Sequence, residues 1–422
     1  MTPNRTHSHD SDDRSIVRKA TSALAAVLIT AIILVSPVSA QTGVVVQVPD
    51  AEYSFGQHIT FFLKATSEAT ITQVNLFFRV QGETDATVVP SIPFDPGLEV
   101  SIEYAYSLVE HNVPPFAPIT YWWEVHDEAG GYARSEDRLL YYADNRYEWQ
   151  HIREKRQDVN WGVSWVKGDA SFGQAALDVA AASLDEINRE LRAPVPGDIQ
   201  IYIYPKEEDL RSALNLSGYD WAGGQARPEL GAILVGIADD TVAKGEMERL
   251  IPHELTHLLV YEKIGRTLGR VPPWLDEGLA SLNERRPDPD RKVLVEQALN
   301  QDRLIPLQVL CAPFPMDENA ARLAYAQSAS VVGYLREEYG SQVIRDLLAA
   351  YADDISCDAG VSRVLGKDLH ALDSSWRAEL SHQGQAVTVL KNSQVWLALW
   401  LLTVLLALPL LGVLRQGSQK HE

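Results

Sequence analysis

The segment His253-Glu254-Leu255-Thr256-His257 constrains this 422-residue chain more than any other feature. Leu250, Ile251, Leu258, Leu259 and Val260 surround it, so its polar trio faces an apolar setting. Buried polar groups require partners, and a metal ion is a natural one. On an α-helix, residues four apart lie on one face, one turn from each other, so two imidazoles can grip one ion. Glu254 is rotated off that axis and reaches a water held by the ion without being a ligand. Pro252 is the awkward neighbour, because a proline inside a helix removes a hydrogen bond. It reads as a first-turn residue or a tolerated kink.

A third ligand is expected downstream, in Trp274-Leu275-Asp276-Glu277-Gly278-Leu279-Ala280. Pro272 and Pro273 break the preceding chain and start a new helix, with Glu277 in its first turn. Gly278 and Ala280 are small enough to let that helix pack close to the metal helix. Asp276 is the rival carboxylate, read as a cap or as a hydrogen-bond partner to a ligand. Zinc suits such a nitrogen and oxygen set, and three protein ligands leave its fourth position for water. The pKa of that water then falls from about 15.7 to about 7.

HELTH followed by WLDEGLA resembles the gluzincin superfamily, the thermolysin-like and aminopeptidase-N-like zinc peptidases. More narrowly, the chain is similar to bacterial peptidase MA family metallohydrolases over roughly residues 150–380. The resemblance implies that His253, His257 and Glu277 bind Zn2+ and that Glu254 is the general base. Ala324-Tyr325-Ala326-Gln327-Ser328 resembles the tyrosine-bearing stretch of such sequences, which makes Tyr325 the candidate donor to an oxyanion. On an amphipathic helix with Leu323, Val332 and Leu335, Tyr325 reads equally as a core aromatic. His370 and His382 read as surface histidines. Relatives also carry an edge strand before the metal helix that pairs with the substrate backbone, and Gly231–Ile237 sits in that position. Typical aminopeptidases have Gly-x-Met-Glu-Asn there, with the Glu gripping the substrate's amino terminus. Gly231-Ala232-Ile233-Leu234-Val235 lacks that Glu, although Glu229 is close. The implied function is hydrolysis of peptide or protein substrates. The alternative is a cell-surface binding protein that keeps the fold without useful catalysis.

The ends of the chain place this domain. Arg14, Arg18 and Lys19 precede the apolar run Ala23–Val35, and small residues up to Ala40 suit cleavage, so 1–40 reads as a signal peptide. Val395–Leu414 contains no charge and is long enough to cross a bilayer, giving a transmembrane helix over 393–414. Arg415 and Lys420 put the tail, 415–422, in the cytoplasm and the body outside it. Residues 41–146 show alternating β-branched and aromatic runs, as in Glu99–Tyr104, separated by turn signals. About seven short strands there suggest a sandwich of the immunoglobulin or fibronectin type. Residues 147–388 change to mixed helices and strands, the expected α+β metallopeptidase domain. A net charge of −20 without a basic stripe excludes nucleic acid as a partner. The two cysteines, Cys311 and Cys357, allow one disulfide in an exported body. Nothing in the sequence sets the oligomeric state.

Overall fold

The structure is a computed structural model that describes residues 43–89, 92–109, 113–215, 223–267 and 269–382. The expected signal peptide, transmembrane helix and tail lie outside the described residues. Among the described residues, no helix is long and apolar enough to cross a membrane.

The N-terminal part is all β. Its strands are β1 (Val45–Gln47), β2 (Glu52–Ser54), β3 (His58–Val80), β4 (Thr87–Val89), β5 (Gly97–Ser107), β6 (Ala117–Asp127), β7 (Tyr132–Arg134) and β8 (Arg138–Tyr142). Instead of separate short strands, β3 runs for 23 residues and joins everything into one eight-stranded sheet. Its first part pairs with β5 (Phe61 opposite Tyr104) and its last with β6 (Phe78 opposite Tyr121). The register shifts between Thr66 and Ile71, where the strand passes from one set of partners to the other. Alternate residues Ile59, Phe61, Leu63 and Ala65, then Val74, Leu76, Phe78 and Val80, are buried. That period of two is what a pleated strand with one buried face requires.

A second sheet follows, with β9 (Gln150–Arg156), β10 (Val159–Trp165), β11 (Asp198–Tyr204), β12 (Gly224–Arg227) and β13 (Ala232–Gly236) in the order β12-β13-β11-β10-β9. The inner three strands are parallel, and both edges are antiparallel. Gly231–Ile237, expected at the edge, is therefore an interior strand, and all five residues of β13 are buried. The edge is β12, a four-residue polar strand that offers no hydrophobic alternation to read.

One face of this sheet, through Trp161, Val163, Ile201, Ile203, Ile233 and Val235, joins the core shared with the helices. These are α1 (Ala170–Leu191), α2 (Glu207–Leu214), α3 (Ala243–Lys263), α4 (Pro273–Leu282), α5 (Arg291–Asn300), α6 (Glu318–Tyr339), α7 (Gln342–Tyr351) and α8 (Cys357–Leu365), then a helix over residues 369–382. Asp169 caps α1 by accepting from the Ser171 and Phe172 amides. Tyr202, Tyr204 and Leu234, on the other face, join the core of the β-rich part, as does α2 through Leu210 and Leu214. There Phe116 stacks on Tyr202 at 3.6 Å, and buried Asp144 accepts from Tyr204 Oη (3.2 Å) and from Arg146.

Gly278 allows a close approach, but to α6 rather than to the metal helix. A Cβ there would lie 2.6 Å from the Ser328 carbonyl oxygen. Cys311 and Cys357 form a disulfide across 46 residues, and Trp274 Nε1 at the start of α4 donates to Cys357 Sγ. Closing a loop of that length removes about 4 kcal/mol of unfolded-chain entropy in the simple chain model. Replacing both cysteines by serine is expected to lower stability by about 2–4 kcal/mol, measured by urea unfolding under non-reducing conditions.

Candidate metal centre

Pro252 is the tenth residue of α3, well inside it, and its missing N–H frees the Glu248 carbonyl. That carbonyl accepts instead from the backbone N–H groups of Arg285 (2.9 Å) and Arg286 (3.3 Å). One turn on, Thr256 Oγ1 donates to the Pro252 carbonyl at 2.8 Å and accepts from Asn283 Nδ2 at 3.2 Å. The segment after α4 is thereby pinned along the metal helix, and Glu284 lies within it.

His253 and His257 project from one face of α3, their ring centroids 5.1 Å apart. Glu277 is the fifth residue of α4, just past its first turn rather than within it. Its Oε2 lies 3.3 Å from His253 Nε2 and 3.6 Å from His257 Nε2. The three ligand atoms fall within 4.8 Å of one another, a group that can hold a metal ion. Each Nδ1 faces a carboxylate: His253 lies 3.1 Å from Glu284 Oε1, and His257 3.1 Å from Asp276 Oδ1. That arrangement fixes both Nε2 atoms as the inward-facing ligands. Glu284 is buried and is held from behind by Arg291 Nη2 at 2.7 Å, while Arg291 Nη1 donates to the Ser281 carbonyl.

The charges expose the need for a cation. Burial draws both histidines toward neutrality, yet the surrounding carboxylates reverse it. His253, beside Glu277 and Glu284, is pushed up to about 9, and His257, beside Asp276 and Glu277, is also raised. Burial pushes Glu277 up, but His257 and His253 hold it well below the usual carboxylate range. Glu277 Oε2 is buried with no hydrogen-bond partner, aimed between two imidazole nitrogens. Two nitrogens and one carboxylate oxygen converging in this way fit zinc.

Glu254 is 5% exposed and lies against β12. A Cβ on Gly224 would sit 2.4 Å from its Oε1, and it accepts the Ala226 backbone N–H. Burial raises its pKa, in opposition to the two histidines. Tyr325, on α6, is brought to the same place, with its ring 6.2 Å from that of His253 and a hydrogen bond between its side chain and Glu277. Burial and the nearby Glu277 and Glu254 keep its hydroxyl protonated. His370 and His382 are exposed on the helix over residues 369–382. Glu229 is turned away, its side chain packed on Gly82 of the β-rich part and its carbonyl accepting from Gln81.

Sequence reading missed Glu284, Arg291 and the strand Gly224–Arg227. Glu284 stands just past the end of α4, and its signal is that it is the next carboxylate after Glu277. The Gly223-Gly224 pair before a short polar run is a fainter one.

Glu284→Gln is expected to weaken metal binding about 10–100-fold, read by competition with a chelator. Metal affinity should rise with pH through the range in which the raised His253 and His257 lose their protons, since both must leave before metal binds. Proton release on zinc addition, followed with a pH indicator, checks that sign.

Solved structures similar to the chain include an M1 zinc metallopeptidase from Deinococcus radiodurans, 13% identical with a TM-score of 0.40, covering 76% of this chain and 90% of that one. Another is aminopeptidase A of Legionella pneumophila in complex with aspartic acid, 11% identical with a TM-score of 0.38, covering 78% and 50%. No curated protein matches the chain. Residues 180–382, which carry every residue of the centre, match the model of the Peptidase MA superfamily. Over those residues, just under half of the chain, it is similar to the Peptidase MA superfamily, in line with what HELTH and WLDEGLA imply.

Proposed function

We propose that this protein is a zinc metallopeptidase that hydrolyses peptide bonds and is held outside the cytoplasm by a C-terminal membrane helix. The observation that carries this reading is the convergence of His253 Nε2, His257 Nε2 and Glu277 Oε2 beside a buried Glu254. Zinc held by these three residues supplies Lewis acidity toward a peptide carbonyl and toward water.

The chain's own residues supply the rest. Glu254, raised by burial, takes a proton from the attacking water and passes it to the leaving amine. The Tyr325 hydroxyl donates to the carbonyl oxygen as negative charge develops on it. Gly224 of β12 leaves room for the Glu254 carboxylate itself, which lies against this strand. The outer edge of β12 carries no strand among the described residues, so it can pair with an extended peptide backbone. No carboxylate of β12 itself can grip a free amino terminus, which supports action on internal bonds.

The apolar run Val395–Leu414 supports the tether, and the Cys311–Cys357 disulfide supports an oxidising compartment. The switch of β3 between two sets of partners supports the immunoglobulin or fibronectin reading of residues 41–146, with the peptidase domain over 147–388.

Glu254→Gln should keep zinc at one equivalent while cutting turnover of an internally quenched peptide library by at least about a hundredfold. Metal analysis of the same samples separates the outcomes. Unchanged hydrolysis removes Glu254 from the mechanism, and no hydrolysis by the metal-loaded wild type favours the binding-protein alternative.

A further inference from the structure

The β9-β10-β11 end of the second sheet has two unlike faces. Val159, Trp161 and Val163 of β10 point into the helical core. The opposite face is covered by the β-rich part only near Tyr202 and Tyr204, and beyond them a cleft of about 860 Å³ opens. That lies in the upper range of ligand pockets.

Register sets the cleft's chemistry in three cross-strand rows: Lys155, Asn160 and Asp198; Arg153, Gly162 and Gln200; His151, Ser164 and Tyr202. Two of the β9 members, Arg153 and Lys155, are cationic, and the Asp198 carboxylate of the Lys155 row accepts from Asn160 Nδ2 at 3.1 Å. Along a strand, alternate residues on one face are about 7 Å apart, so Arg153 and Lys155 stand in line along the cleft. The chain as a whole carries −20, which makes a local basic array a marked reversal. Arg153 and His151 are exposed and form no ion pair among the described residues, while Lys155 has only Asp158 at 3.8 Å. Glu154 points to the other side and is taken by Arg156 at 2.6 Å.

The floor is flat and rich in hydrogen-bonding groups. Gln200 lies over Gly162, where a Cβ would come within 2.0 Å of its Oε1, and its amide has no hydrogen-bond partner among the described residues. The wall is aromatic. Tyr141 is 48% exposed, its hydroxyl 2.6 Å from that of Tyr202, and half-buried Trp149 stands edge-on to Tyr202 and Phe116. Burial raises the pKa of Tyr141 and Tyr202 while the Arg153 charge opposes it, so the guanidinium lies near the hydroxyl pair.

We propose that this cleft binds an acidic oligosaccharide, with sugar rings against Tyr141 and Trp149, hydroxyls on Gln200 and Asn160, and carboxylates along Arg153 and Lys155. Two cations spaced along one strand match an anion that repeats rather than a single phosphate. Amphipathic rings beside planar amides match a ligand with apolar ring faces and many hydroxyls. The cleft and the metal centre lie on opposite faces of the sheet, so the two sites act independently. This site anchors the protein to a polyanionic glycan surface while the other face stays free.

The test is calorimetric titration of the full chain with short oligomers of galacturonic acid and of glucuronic acid. Their methyl esters, which are neutral, and an oligo-glutamate peptide are run beside them. At least one uronate oligomer should bind, with affinity falling as salt rises, and the esters and the peptide should bind at least about tenfold more weakly. Arg153→Ala and Lys155→Ala, each with an unchanged thermal midpoint, should each weaken uronate binding about tenfold or more. Glu254→Gln should bind the uronate like the wild type, which separates this proposal from the peptidase reading. Absent binding of both uronates, equal binding of the esters, equal binding of oligo-glutamate, or full affinity in both folded variants would each overturn the proposal.

Discussion

The hydrogen bond that Pro252 cannot make organises the metal centre. A proline at the tenth position of α3 costs a helix about 3 kcal/mol when nothing compensates. Here the freed Glu248 carbonyl is satisfied by the amides of Arg285 and Arg286, so the defect becomes a docking point. Thr256 and Asn283 add a second tie one turn later. Between these ties sits Glu284, which orients His253. A regular helix at this point would leave the 283–286 segment without its backbone partner and Glu284 without a fixed position. Pro252, a weakness when the helix is considered alone, is a condition for the centre once tertiary structure is formed.

The same segment sets the electrostatics. Asp276, Glu277 and Glu284 crowd two imidazoles in a setting where Glu254 is also buried. Such a set cannot remain both anionic and unpaired, because unpaired charge in a low-dielectric site is costly. Protons on the histidines or a divalent cation can balance it, and the raised His253 reflects the first of these. Arg291 takes the outer oxygen of Glu284, leaving Oε1 to hold His253 Nδ1. Proton and metal thus compete for one position, which ties metal affinity to pH without any separate sensor.

What was legible in the sequence was what depends on one helix at a time. His253, Glu254 and His257 are related by the helical repeat alone, and Pro272-Pro273 marked the start of α4 to the residue. Errors arose where a second element decides the outcome. Gly278 is small because of α6, not α3, and no local pattern distinguishes those neighbours. The run Gly231–Ile237 reads as a strand because it is apolar, and it is one. Yet apolar character on both faces belongs to an interior strand. The true edge, Gly-Gln-Ala-Arg, is short, polar and glycine-led, the composition by which an edge avoids unwanted pairing. Its importance comes from Glu254 lying against Gly224, a contact invisible before the chain is folded. Likewise β3 is one long strand rather than several short ones, because residues 67–70 keep the chain extended between its two sets of partners.

The β-rich part then matters to the centre through the sheet rather than through any residue of its own. Tyr202 and Tyr204 belong to β11, whose other face carries Ile201 and Ile203 into the helical core. Phe116 stacked on Tyr202 and Asp144 on Tyr204 fix β11 from behind. β13 is paired to β11, and β12 is paired to β13, so the edge strand beside Glu254 is two ladders from that aromatic seam. A four-residue strand has little capacity to hold its own place, since an isolated pair of short strands is marginal in water. Its position beside Glu254 is inherited from β13 and β11, and theirs from packing on both faces. Loosening the seam at Phe116 would therefore act on the centre by letting β12 shift, with every metal ligand still present.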